Sequence, residues 1–179
     1  MRKLLLFAGL PGVGKSTISR QVGEKLGAHI VDIDDFKKTN VDPTLVSRQI
    51  DPPEIRWGYY QKALNFVFQL FFEQGVPAVI LDEVFHLNSL RNQLEGLCRE
   101  NEVQALWIEI QCPSSVVEKR LRATKREGHI LSTEEALKMH HQFREIFETF
   151  SNGHQNHIIV NNESDPCISS LVEEICERG

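Results

Sequence analysis

The stretch "GLPGVGKST", Gly9–Thr17, decides the fold. It follows "KLLLFA", Lys3–Ala8, so three glycines and a proline stand beside one of the most apolar runs of the chain. Gly9, Gly14, Lys15 and Ser16 match the pattern G-x-x-x-x-G-K-[ST], in the strand–loop–helix context that this pattern requires. Glycines let successive backbone N–H groups converge on one concave spot. A helix N-terminus adds about half a positive charge there. Gly12, Val13, Gly14, Lys15, Ser16 and Thr17 are therefore expected to cradle a nucleoside triphosphate. Lys15 would face the outer phosphates, and the Ser16 hydroxyl is a hard oxygen ligand for Mg²⁺.

Outward from the loop, apolar runs alternate with helical periodicity. Strands are expected at Lys3–Ala8, Ala28–Asp34, before Asp82, at Val103–Gln111 and at His157–Asn162. Helices are expected at Lys15–Leu26, Glu54–Gln74, Asn88–Glu100, from Pro113 to about Arg126, from Ser132 to about Phe150, and at Pro166–Glu177. Gly27 suits a helix stop, and Ser132 with Glu135 forms a capping box. This alternation predicts an α/β fold of three layers: a five-stranded parallel sheet, helices on both faces and a small helical lid. In such sheets ligands bind at the carboxyl ends of the strands.

Acids gather at those ends. Asp82 closes "VPAVIL" and fits an aspartate that holds Mg²⁺ beside the phosphate loop. "DIDDF", Asp32–Phe36, places three acids in four residues. Read as a strand, it puts Asp32 and Asp34 on one face. Asp34 is the candidate general base for an acceptor hydroxyl, and Asp32 or Asp35 the candidate outer support for the metal. "EKRLRATKREG", from Glu118, holds the densest positive cluster; Arg122 and Arg126 are its candidates for neutralising a transferring phosphoryl group. The segment at about 120–135 would be the lid.

The chain has 179 residues and 41% hydrophobic content, which suits one domain with its own core. It has no run of about twenty apolar residues for a membrane span, and its first apolar run is too short for a secretion signal. A net charge of −5 without long basic runs argues against an extended nucleic-acid surface. The four cysteines show no C-x-x-C pair, so reduced thiols and a cytoplasmic setting are expected.

"GLPGVGKST", "DIDDF", "VILDEVFH" and "RLRATKREG", in this order, resemble the small P-loop kinases of the nucleoside/shikimate-kinase-like group. More narrowly, they resemble the AAA-type ATPase/kinase branch with polynucleotide 5′-hydroxyl kinases, zeta toxins and chloramphenicol phosphotransferase. The resemblance implies ATP·Mg²⁺, an Arg-bearing lid, a catalytic aspartate at Asp34 and an adenine-lining loop at about Asn161–Ser164. Polynucleotide kinases carry Asp-Asp-x-Arg where this chain has Asp34-Asp35-Phe36-Lys37, and lysine reads phosphate less well in two-point fashion. The absence of N-K-x-D favours ATP over GTP.

The acceptor is expected between about 36 and 75, with Lys37, Arg56 and, from beyond the third strand, Arg91 as contacts; Arg48, Tyr59, Tyr60 and His86 are further candidates. Most aromatics of the long helix should be core. His140 and His141 show no metal spacing. The resulting expectation is a kinase for a hydroxyl-bearing small molecule or nucleotide, as monomer or homodimer. The rival is an ATPase module in which Glu83, after Asp82, activates water.

Overall fold

A computed structural model describes residues 2–40, 50–123, 132–150 and 156–178. The elements run β1 (Lys3–Ala8), α1 (Lys15–Leu26), β2 (His29–Asp32), α2 (Ile33–Asn40), α3 (Pro53–Phe72) and β3 (Ala78–Asp82). They continue with α4 (Asn88–Glu100), β4 (Gln104–Gln111), α5 (Ser114–Ala123), α6 (Thr133–Ile146), β5 (His157–Asn161) and α7 (Ile168–Glu177). The five strands are all parallel, in the order β2-β3-β1-β4-β5.

Side chains alternate along a strand, so an unbroken apolar run needs cover on both faces. Leu4, Leu6 and Ala8 of β1 pack on one side with Tyr60, Leu64 and Val67 of α3 and Leu94 of α4. Leu5 and Phe7 face the other side with Ile18 and Val22 of α1, Leu137 of α6 and Leu171 of α7. Arg2 rests over the exposed ring of Phe72 at the end of α3, at 4.1 Å.

Several element ends shift by one or two residues, and two boundaries differ in a way that matters to the site. The second strand stops at Asp32, because the Asp32 Oδ1 accepts the backbone N–H groups of Asp34 (2.9 Å) and Asp35 (3.2 Å) and so opens α2. Asp34 therefore lies in the first turn of a helix and not on a strand face shared with Asp32. Helix α6 ends at Ile146, not near Phe150: Phe147 turns extended, and Glu148 then donates its N–H to His86 O. The Ser132–Glu135 capping box and the left-handed Gly27 stop are both present.

Candidate active site

The phosphate loop spans the turn from β1 to α1 and is held from outside. Gly9 N–H donates to Val84 O (3.3 Å), and a Cβ at Gly9 would stand 2.4 Å from Ile110 O. Gly14, at φ +95°, lies so close to Asn162 that a Cβ would meet its Nδ2 at 2.4 Å. Asn162 Nδ2 donates to Val13 O (2.7 Å), and His140 Nδ1 donates to Pro11 O (2.8 Å). The carbonyls of residues 11 and 13 are thus tied outward by distant side chains. Lys15 Nζ donates to Leu10 O (3.2 Å), across its own loop.

Since a carbonyl only accepts, His140 carries its proton on Nδ1, and Nε2 accepts from Ser114 Oγ at 3.0 Å. Burial lowers its pKa, in keeping with a neutral ring. The sequence marked His140 only as a histidine without metal spacing; the fold shows that it reaches the loop.

Asp82 lies at the end of β3, in register with Asp32 of β2 and Phe7 of β1. It accepts from Ser19 Oγ at 3.0 Å, and Ser16 stands beside it. Burial pushes Asp82 up to about 6; Lys15 opposes the shift and Asp32 adds to it. A buried carboxylate short of positive charge, next to two hydroxyls, fits a hard divalent cation. Among the described residues no three His, Cys, Asp or Glu side chains form a metal-holding group. Ser16 and Asp82 would thus be joined by phosphate oxygens and water, with Asp32 behind them and one of its oxygens already used as the α2 cap.

Asp34 is 70% exposed and 3.5 Å from Lys37 Nζ. The protein crowding it on one side, then Glu83 and Asp32, raise its pKa against the pull of Lys37 and Lys15. Glu83 is buried and receives Arg56 Nη1 at 2.7 Å. Burial opposes its charge, but Lys37, Arg56 and Lys15 together hold it below the usual range. Lys37 also approaches Asp51 (3.8 Å) and lies 4.0 Å over the Tyr59 ring. The structure thus brings Lys15, Lys37, Asp34, Arg56 and Glu83 into one electrostatic neighbourhood.

Arg91 is not part of it. Its guanidinium is fully buried, donates to Phe85 O, Asn88 Oδ1 and Glu148 O, and lies 3.8 Å over Phe150. It braces α4 against the chain after α6 instead of contacting an acceptor.

On the other side of the loop a cleft of about 670 Å³ is lined by Gly12, Gly14, Thr17, Arg120, Asn162 and Pro166, among others. At two expected positions it is the neighbouring residue that faces this cleft. Asn161 is exposed and turns its Oδ1 to Glu163 N, while Asn162 faces the loop. Arg122 points outward to Glu134 (3.2 Å), whereas Arg120 reaches the cleft and donates to Asn162 O (2.8 Å) and Glu163 O (3.2 Å). Residues two apart on a helix point in nearly opposite directions. Arg126 and Arg48 lie outside the described residues.

A family model described as an AAA domain, AAA_33, matches residues 4–146, and the chain belongs to that family. No curated protein matches the chain. Similar solved structures include a sugar kinase from Janibacter sp. HTCC2649, with 19% identity, a TM-score of 0.71, and 99% of this chain and 93% of that one covered. A gluconokinase from Sinorhizobium meliloti 1021 follows at 16% identity and TM-score 0.64, covering 99% and 93%. The Mycobacterium tuberculosis APS kinase, solved with AMPPNP and APS, stands at 17% and 0.64, covering 99% and 96%. The fold is the one these small P-loop kinases share.

Proposed function

We propose that the protein is an ATP-dependent kinase that transfers the γ-phosphoryl group to an alcohol of a small molecule. The observation that carries this reading is the position of Asp34. Its carboxylate is open to solvent at the carboxyl end of the sheet, feels the charge of Lys15, and has a pKa raised toward that of a working base. Glu83, the residue the rival ATPase reading needs free, is engaged by Arg56.

The loop amides and Lys15 hold the β- and γ-phosphates. Arg120 and Asn162 wall the side where the base would lie. Mg²⁺ at Ser16 and Asp82 would neutralise phosphate charge. Asp34 orients the acceptor hydroxyl and takes its proton. As the acceptor oxygen bonds to the γ-phosphorus, the bond from that phosphorus to the β–γ bridging oxygen breaks, and ADP leaves with the electron pair. Arg122 and Arg126 are retained as the cations proposed to neutralise the transferring phosphoryl group.

The test is ADP release from ATP alone and with pools of sugars, nucleosides and 5′-hydroxyl oligonucleotides. Acceptor-dependent release is expected, with Asp34→Asn lowering kcat by about 10²–10⁴ while ATP affinity is kept. Near-normal turnover by that variant refutes the assignment. Rapid acceptor-independent hydrolysis, lost on Glu83→Gln, would favour the ATPase.

A further inference from the structure

Resting on the kinase reading, we propose that the acceptor is an uncharged polyhydroxyl compound, recognised through Arg56, Tyr59, Tyr60 and His86, and that its anionic analogues are rejected. Two independent observations carry this.

The first is the state of the cations. Arg56 is bound to Glu83 at 2.7 Å, and both side chains are about 95% covered (4% and 6% exposed). Lys37 stands between Asp34 (3.5 Å) and Asp51 (3.8 Å). Arg91 is consumed in the core. Among the described residues, the cations on this side of the loop beyond Lys15 already face three carboxylates. An entering carboxylate or phosphate would have to share Arg56 with Glu83, bringing a second negative charge into a desolvated setting where that one guanidinium already balances a carboxylate. Arg56 therefore does not act as the anion reader that its sequence position suggests.

The second is the state of the neutral groups. Arg56 Nε, Tyr59 Oη, Tyr60 Oη and His86 Nδ1 are buried without a well-formed hydrogen bond, in residues that are at most 3% exposed as a whole. They come from α3 and from the turn after β3, yet they are contiguous. The Tyr59 and Tyr60 rings are 5.1 Å apart, the Tyr60 hydroxyl lies beside Arg56, and Arg56 and His86 both pack on Phe143, at 5.1 and 5.0 Å. Buried polar atoms are nearly always partnered, so such a group marks where a ligand or water completes the set. Three of the four belong to uncharged side chains. Hydroxyl groups, which both donate and accept, match phenols and a neutral imidazole.

The experiment is calorimetric titration of the whole chain, held with Mg²⁺ and AMPPNP, against matched sets: aldoses and polyols with their carboxylate and phosphate derivatives, and nucleosides with their monophosphates. ADP release with ATP is measured in parallel. At least one uncharged member is expected to bind about tenfold or more tighter than its anionic counterparts. Asp51→Asn, which releases Lys37, should narrow that gap about threefold or more. Tyr59→Phe should weaken the uncharged ligand about fivefold or more while leaving AMPPNP affinity unchanged and the melting temperature of the free protein unchanged or raised. A merely structural hydroxyl would instead lower that temperature and spare the ligand. Tighter binding of anionic members, or no binding of any uncharged member, overturns the proposal. Binding of an uncharged member without acceptor-dependent ADP release sustains it and sinks the kinase reading.

Discussion

At the scale of single residues, Asp82 combines a structural liability with the metal-holding role proposed for it. Its pKa is pushed up to about 6, so the free folded protein holds this proton more tightly than the unfolded chain does. A raised carboxylate favours folding below its unfolded value near 4, and that contribution fades as pH rises through 6. Asp82→Asn should therefore stabilise the free protein at pH 8, by up to about 3 kcal/mol. The same change should remove the Mg²⁺-dependent part of ATP affinity. Urea melts at pH 5 and 8, with and without Mg·AMPPNP, check both. His86 works in the opposite sense. Burial, with Arg56 and Arg91, lowers its pKa to about 4, so its contribution is present at neutral pH and is lost as pH falls from about 6.5 toward 4. His86→Gln should then flatten the acid limb of the melting profile.

At the scale of elements, the chain announced most of its helices and strands but not the β2–α2 joint. "AHIVDID" alternates like a strand, and nothing local separates an aspartate that extends it from one that caps a helix. The choice falls to Asp32, whose carboxylate takes two backbone N–H groups. Asp32→Ala should destabilise by about 1 kcal/mol, whereas Asp32→Asn, which still accepts those bonds, should cost little. Denaturant melts distinguish the two. The Arg120/Arg122 and Asn161/Asn162 reversals share another cause. Composition tells that an arginine or asparagine stands near the cleft, but the rotational phase of α5 and the pleat of β5 are set by tertiary packing. Arg120→Ala should raise the KM for ATP about tenfold with little change in kcat, and Arg122→Ala should leave that KM nearly unchanged.

At the scale of the molecule, the topology was legible because β1 and β3 are apolar on consecutive residues, which only a sheet covered on both faces explains. The proposed acceptor side was legible only piecemeal. Positions 34, 56, 59 and 86 stood out singly as candidates, but no local pattern links an arginine on α3 with a glutamate after β3. Hydrogen exchange should find β1 the slowest strand and the edge strands β2 and β5 faster, since β1 lies between β3 and β4 and is buried from Leu4 to Ala8.

The outward ties of the phosphate loop have a further consequence. Its anchors are Val84, His140 and Asn162, spread over the remaining length of the chain. The cradle therefore cannot be finished when its own residues emerge from the ribosome; it waits for the fifth strand to dock. Affinity for adenine nucleotides should appear late in refolding, together with the final increase in tertiary signal, which makes nucleotide capture a reporter of completed assembly.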